Sequence, residues 1–383
     1  MNILIYYKFF PNVGGVERVI TILANEFSSL GHKVGIISLL QDSEVHKCKI
    51  DDKIRLYTLP NKQSLICDEN IYAISHIIKD ESYEILFNHD SVSDSMKFVN
   101  KVKCVSGCKL ITLHHGAIYM SKDSFFASLN SMASMKQRIL FHLGGFSYAL
   151  KVVKDFLHHQ KNIYLSDKYV CLCDAYRKQL IRTDKTKVIY NPLSFETFLT
   201  ESEFAKKQNL VLFVGRIDEY IKRITIMLNS WKHTNTMGWN FVIVGDGPDK
   251  KLIEDYIKSN EIKNVSMVGF QQPEEYYKKS KIFLMTSLIE GFPMTVSEAK
   301  QFGCVPIAMN SFASISECVE ESIDGYIVDN NDIKAFTQKL NCLMNDTHVL
   351  NKMAHAAIGN SKNRTVALIA NQWINLFSSV VNK

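Results

Sequence analysis

Two glutamates eight positions apart, Glu290 and Glu298, stand on either side of a Gly-Phe-Pro turn in the stretch S-L-I-E-G-F-P-M-T-V-S-E-A-K-Q-F-G-C-V-P at 287–306. The apolar run at 282–285 reads as a buried strand, and the helical pattern after the turn stops at Gly303, so the carboxylates belong to a strand, a tight loop and a helix start. Eight residues of helix span about 12 Å along the axis. That is too far for the acid/base pair of a glycosidase, which needs carboxyls about 5–9.5 Å apart. The spacing suits one long ligand lying across the helix start. Its phosphates would meet the main-chain N–H groups of Met294, Thr295 and Val296, with a carboxylate gripping hydroxyls at either end.

Cations stand where such a ligand would need them. The run G-R-I-D-E-Y-I-K-R at 215–223 follows an apolar stretch at 210–214 and places Arg216 and Lys222, with Arg223 directly after, on the loop and helix start beyond a strand. A diphosphate carries two or more negative charges, and a site that excludes water must neutralise them. Hydrogen bonds to charged groups are worth about 1.5–3 kcal/mol each, so two cations could supply several powers of ten in rate. A solvated charged loop is the plain alternative. Gly14 and Gly15 lie between the first strand and first helix, where missing β-carbons let backbone approach a phosphate; a tight turn without a ligand needs the same residues. His114 and His115 follow a strand pattern at 109–113, at the end where open α/β sheets bind ligands. Either could hydrogen-bond a hydroxyl. Neither has an acidic sequence neighbour, so a Ser-His-Asp arrangement finds no support.

The elements that must position these groups form two series. Apolar runs at 2–7, 33–39, 54–59, 85–88, 109–113, 170–172 and 188–190 alternate with helical patterns, and a second series at 210–214, 240–244, 265–268, 282–285, 305–308 and 326–328 does the same. Such alternation predicts two mainly parallel sheets, each the core of a Rossmann-like domain. The pattern breaks at Asn191-Pro192 and the polar stretch 200–209. The expected division is therefore 1–198, 199–364 and a final helix at 365–383 carrying Trp373 and Phe377 on an apolar face.

The bulk properties narrow the class. A chain of 383 residues suits two domains, and 46% hydrophobic with 22% charged residues describes a soluble globular protein, not a disordered one. The net charge of +6 favours an anionic substrate or membrane surface but is too diffuse for nucleic acid. Nine cysteines, no basic leader and no apolar run of spanning length predict reduced thiols in a cytoplasmic protein, with any membrane contact at the surface. No paired C-x-x-C arms support a zinc site. The stretch 134–162 mixes aromatic and aliphatic residues with Lys136, Arg138, Lys151, Lys154 and Lys161 against the single acid Asp155. This is the composition of a surface that meets anionic lipid, or of core-packing helices with a solvated basic face.

With E-G-F-P…E-A…G-x-V-P, G-R…K, G-G and the H-H strand end quoted, the chain resembles the retaining, nucleotide-sugar-dependent glycosyltransferases of family 4. The resemblance covers both halves. It implies a GT-B fold: two Rossmann-like domains, acceptor-binding then donor-binding, with a cleft between them and a C-terminal helix crossing back to the first. By the same resemblance Glu290 contacts the transferring sugar and Gly291 and Phe292, in the turn closed by Pro293, offer N–H groups to its hydroxyls, while Glu298 holds the ribose hydroxyls. Arg216 and Lys222 bind the donor diphosphate, which is the leaving group, and Gly15 lies against it. His114 stands near the donor sugar, His115 is assigned to the acceptor side, and Phe270 and Gln271 lie near the nucleobase. The Arg-to-Lys gap of six is one longer than the usual family spacing, which leaves Lys222 and Arg223 both open as the second cation. No D-x-D motif stands in a metal-binding context, so no metal or other cofactor is expected. The implied reaction is front-face transfer with retention, from a UDP-sugar first and GDP-mannose second, to a glycan or lipid-linked saccharide in bacterial surface-polysaccharide or lipopolysaccharide assembly. A catalytically silent nucleotide-binding partner and a sugar-nucleotide epimerase of the same fold are the alternatives. Sugar, acceptor, linkage and oligomeric state are not legible.

Overall fold

The computed structural model describes residues 1–12, 14–40, 49–122, 124–126, 144–181 and 184–382. The chain divides into two compact units, one made of residues 1–118, 153–194 and 364–383 and the other of 119–152 and 195–363. The stretch 119–152 thus goes with the second unit, a placement that strand periodicity in 1–198 does not reveal. Among its described residues, Ser124 is tied to that unit: its Oγ donates to Leu288 O at 3.1 Å, and Tyr220 Oη donates to Ser124 O at 3.0 Å.

The first unit holds β1 (Asn2–Tyr6), β2 (Lys33–Ser38), β3 (Arg55–Thr58), β4 (Ile85–Asn88), β5 (Lys109–His114), β6 (Lys168–Cys171) and β7 (Thr186–Val188). They form one sheet in the order β3-β2-β1-β4-β5-β6-β7, every pairing parallel. Its longer helices are α1 (Gly15–Ser29), α2 (Asp68–Asp80), α3 (Ser93–Ser106) and α4 (Gly144–Leu165); α4 begins in the residues that belong to the second unit. β6 and β7 end earlier than the apolar runs suggest. Leu172, Ile189 and Leu193 are buried on the path beyond the ladder, and that path is held by Leu193 N donating to Arg364 O at 2.9 Å and by the Arg364 guanidinium over the Tyr190 ring at 4.8 Å.

The second unit holds β8 (Leu210–Val214), β9 (Asn240–Val244), β10 (Val265–Met267), β11 (Ile282–Met285), β12 (Val305–Asn310) and β13 (Tyr326–Asp329), in the order β10-β9-β8-β11-β12-β13, again all parallel. Strand order reverses around β8 and β11, the topological switch where open α/β sheets bind ligands at the strands' C-terminal ends. Helices α5 (Ile224–Lys232), α6 (Lys250–Ser259), α7 (Met294–Gln301), α8 (Ile333–Asn345) and α9 (Thr347–Ser361) accompany it. Strands buried on both faces read as continuous apolar runs, which is why these were legible. Trp231, Phe241, Leu284, Ile307 and Phe336 lie at the centre of this core.

The last helix, α10 (Val366–Val381), packs in the first unit against α1. Trp373 and Phe377 are buried, with Phe377 edge-on to Phe27 at 5.7 Å and Trp373 against Phe87 at 4.5 Å.

Candidate functional site

Three strand-end loops of the second unit are stacked by main-chain bonds. Gly215 N donates to Val244 O at 3.0 Å, Ile217 N to Asp246 O at 2.9 Å and Gly245 N to Gly269 O at 2.8 Å. The approach is too close for side chains. A β-carbon on Gly245, whose φ is +147°, would lie 1.8 Å from Gly215 O, and one on Gly247 would lie 2.2 Å from Ile217 O. The G-D-G turn therefore serves as the wall that fixes the loop bearing Arg216. Arg216 itself is exposed on that loop. Phe270 and Gln271, beyond β10, are exposed as well.

A second clasp brings the loop after β8 against the loop after β11. Leu288 N donates to Ile221 O at 2.7 Å, and Thr286 Oγ1 contacts Lys222 O and Arg223 O at 2.8 and 2.9 Å. Arg223, in the left-handed region at φ +50°, turns its guanidinium back to Thr286 O at 2.6 Å and to Asn330 and Asn331 Oδ1 at 2.8 and 2.9 Å. The two cations left open by the sequence take different partners. Arg223 ties the loops together, and Lys222 extends forward to Glu290, Nζ to Oε1 at 2.5 Å, both side chains mostly buried. Glu219 does not join them: its carboxylate accepts from the N–H and hydroxyl of Thr225 at the start of α5, and burial raises its pKa.

Pro293 is the N-cap residue of α7, and Gly291 and the buried Phe292 precede it. Of the three N–H groups expected to meet phosphate, that of Val296 donates to Pro293 O at 3.2 Å. This is a correction: the first turn closes on its own carbonyl, and Met294 and Thr295 are the donors left to the helix start. Glu298, one turn on, is only 3% exposed and accepts from Tyr277 Oη at 2.9 Å. Tyr277 in turn is stacked on Phe302 at 6.2 Å and 9°, and its carbonyl accepts from Lys207 Nζ at 3.0 Å and Cys304 Sγ at 3.1 Å. Lys207 is buried, which lowers its pKa. The rear of α7 is pinned by Lys300 Nζ on Asp324 Oδ2 at 2.5 Å and by Gln301 Nε2 on Phe195 O and Thr197 O at 2.7 and 2.8 Å. Sequence reading missed Tyr277, Lys207 and Lys300. Their partners are remote in sequence, and no local spacing signals them.

In the first unit, Gly14 and Gly15 open α1 as expected, and the Glu17 carboxylate folds back over them: a β-carbon on Gly14 would lie 2.3 Å from Glu17 Oε2. Glu17 is buried, and burial raises its pKa. His114 Nδ1 lies 2.7 Å from Ser91 Oγ and Nε2 3.3 Å from Ala117 O. A carbonyl only accepts, so Nε2 carries the proton and Nδ1 accepts from Ser91. Both nitrogens are thus engaged within this unit. His115 Nε2 pairs with His89 Nδ1 at 2.9 Å, a bond that requires at least one neutral ring. Each ring keeps an edge at the surface, yet the protein packed around them holds His114 down to about 4 and His115 to about 3. Both are neutral at neutral pH. Among the described residues no cluster of three or more His, Cys, Asp or Glu could hold a metal ion.

Comparison with known proteins places this architecture. Residues 13–196 match the family model Glycosyltransferase Family 4, and residues 194–364 match Glycosyl transferases group 1. AmsD, an amylovoran biosynthesis glycosyltransferase of Erwinia amylovora, is 32% identical over 237 residues, 60% of this chain and 65% of that one. A Campylobacter jejuni α-1,4-N-acetyl-D-galactosaminyltransferase, named for an undecaprenol-diphosphate-linked acceptor, is 23% identical over 97% of both chains. Among solved structures, Anabaena HepE in complex with UDP superposes with a TM-score of 0.75 at 15% identity, covering 99% of this chain and 100% of that one. The lipopolysaccharide outer core galactosyltransferase WaaB superposes at 0.70 with 20% identity over 99% and 100%. By fold and by both of its halves the chain belongs to the glycosyltransferases of GT-B architecture, a family 4 domain followed by a group 1 domain.

Proposed function

We propose that the protein is a retaining glycosyltransferase that moves a sugar from a nucleotide-sugar, a UDP-sugar first and GDP-mannose second, to a glycan or lipid-linked saccharide in bacterial surface-polysaccharide assembly. The observation that carries this reading is the Lys222–Glu290 pair beside the start of α7, with Glu298 held in place one turn further on. Lys222 and Glu290 neutralise each other as a pair. When the donor enters, Lys222 and Arg216 turn to the diphosphate, the N–H groups of Met294 and Thr295 face it, Glu290 accepts from a sugar hydroxyl and Glu298 accepts from the ribose. The bond from the anomeric carbon to the phosphate oxygen breaks as the acceptor oxygen bonds to the same face of that carbon. The acceptor's proton passes to the departing phosphate oxygen. The protein's share is positioning and charge stabilisation. His114, neutral and engaged at both nitrogens, acts through its donated hydrogen bond and not as a cation.

The relatives named for amylovoran, lipopolysaccharide and an undecaprenol-diphosphate-linked saccharide support a saccharide or lipid-linked acceptor, and the solved complexes with UDP support UDP as first choice. The reading needs no metal, since Arg216, Lys222 and the helix start offset the diphosphate charge. The test is binding of UDP, GDP and ADP in the presence of chelator, with Arg216→Ala and Lys222→Ala alongside. Selective binding weakened by both substitutions is expected. Binding that both leave untouched would move the donor site elsewhere.

A further inference from the structure

The face that α4 turns to solvent is apolar. Phe146, Leu150, Val153, Leu157 and Tyr164 are 65, 52, 54, 60 and 68% exposed. At 3.6 residues per turn these positions fall within an arc of about 60°, along about 27 Å of helix. The opposite side carries the contacts with the protein. His159, Asn162 and Ile163 are buried there. His158 Nε2 and Asn162 Nδ2 donate to Ser91 O at 3.0 and 2.8 Å, and His159 Nδ1 lies 2.9 Å from Tyr169 Oη. A surface helix ordinarily turns its apolar stripe inward and its polar side out. Here polar groups anchor the helix, and a row of large apolar side chains is left facing out.

Charge points to what covers the row. Lys154 and Lys161 are exposed and border the stripe on one side, with Lys151 further round, while the helix's one acid, Asp155, lies on the far side. Single exposed apolar residues are ordinary, but a contiguous row marks an interaction surface. Large apolar groups flanked by lysines are the pattern of a helix lying in a membrane interface. Among the described residues no helix is long and apolar enough to cross a membrane. Residues 134–143 of the basic stretch lie outside the described residues, so the surface rests on α4 alone.

We propose that this face of α4 docks the protein on an anionic phospholipid bilayer. The helix lies in the membrane plane, the five apolar side chains enter the headgroup–acyl boundary, and Lys154 and Lys161 meet lipid phosphates. A lipid-linked acceptor of the kind assigned above would be presented at that surface, yet the docking stands without the transfer reading, because vesicle binding is measured with no nucleotide present.

The experiment is flotation of the full chain with vesicles of phosphatidylglycerol and phosphatidylethanolamine at low salt, with phosphatidylcholine vesicles as the neutral control. The protein should float with the anionic vesicles only. Leu150→Glu with Leu157→Glu should cut the bound fraction at least tenfold, and Lys154→Ala with Lys161→Ala severalfold, as should high salt. Phe146→Trp should show a blue-shifted emission on adding anionic vesicles. Nucleoside diphosphate binding should be unchanged in every variant, which separates a docking defect from misfolding or a misplaced donor site. No flotation at low salt, or flotation indifferent to Leu150→Glu with Leu157→Glu, would overturn the proposal. A dimer in solution that those substitutions dissociate, without vesicle binding, would assign the stripe to a second copy of the chain.

Discussion

At the scale of single residues, the pair Lys222–Glu290 makes opposite demands on binding and turnover. Glu290 holds the cation that the diphosphate needs, so Glu290→Gln releases Lys222 while removing the carboxylate assigned to the sugar. Nucleoside diphosphate affinity should stay the same or rise, and kcat should fall about 100-fold, the size found when one group that stabilises transition-state charge is lost. Isothermal titration beside a turnover assay reads both, and a parallel loss of the two would show that Glu290 serves the nucleotide. Tyr277 behaves differently, because it touches Glu298 and not the reacting atoms. Tyr277→Phe removes a hydrogen bond to a buried carboxylate. Such a bond is worth about 1.5–3 kcal/mol, so affinity for the ribonucleotide should drop about tenfold. The 2′-deoxy analogue should lose less, and kcat should hardly move. If both nucleotides weaken alike, Tyr277 supports packing only.

At the scale of elements, the main strands and the two glutamates could be read directly, whereas the groups that orient them could not. Continuous runs such as 282–285 announce strands buried on both faces, and the Gly-Phe-Pro turn announces the start of α7. Nothing near Glu298 signals Tyr277, 21 residues away, and nothing near Arg223 signals Asn330 and Asn331. Those partners meet only because β8, β11 and β13 share one sheet. The loop wall offers a test of that geometry: Gly245→Ala forces a β-carbon against Gly215 O in a backbone conformation that alanine resists. It should cost about 1–3 kcal/mol of stability and weaken nucleotide binding along with it. In the first unit, the ends of β4 and β5 carry histidines held below their unfolded value of about 6.5, His114 at about 4 and His115 at about 3. The unfolded chain takes up these protons first as pH falls. Their contribution to stability is therefore complete above pH 6.5 and is lost progressively through the window from 6.5 down to 4 and then 3. The urea midpoint should drop between pH 7.5 and 4.5, and His115→Gln should reduce that drop. An unchanged slope in the variant would mean that His115 is not buried as a neutral ring.

At the scale of the whole molecule, the chain leaves its first unit at 118 and again at 194, and returns to it at 153 and at 364. The returning helix is part of that unit's core: Trp373 is 1% exposed and packs on Phe87, a residue of β4. Its deletion to alanine should cost about 3–5 kcal/mol, and the loss belongs to the unit that holds β1–β7. A nucleoside diphosphate bound in the second unit stabilises only what it touches, by an amount that grows with the logarithm of its concentration. Calorimetry of the full chain should therefore resolve the two effects. Trp373→Ala should lower one unfolding transition, and added nucleotide should raise the other. If the substitution lowers the nucleotide-sensitive transition by the same amount, the two units unfold as one, and the crossings of the chain at 118, 153, 194 and 364 couple them thermodynamically as well as covalently.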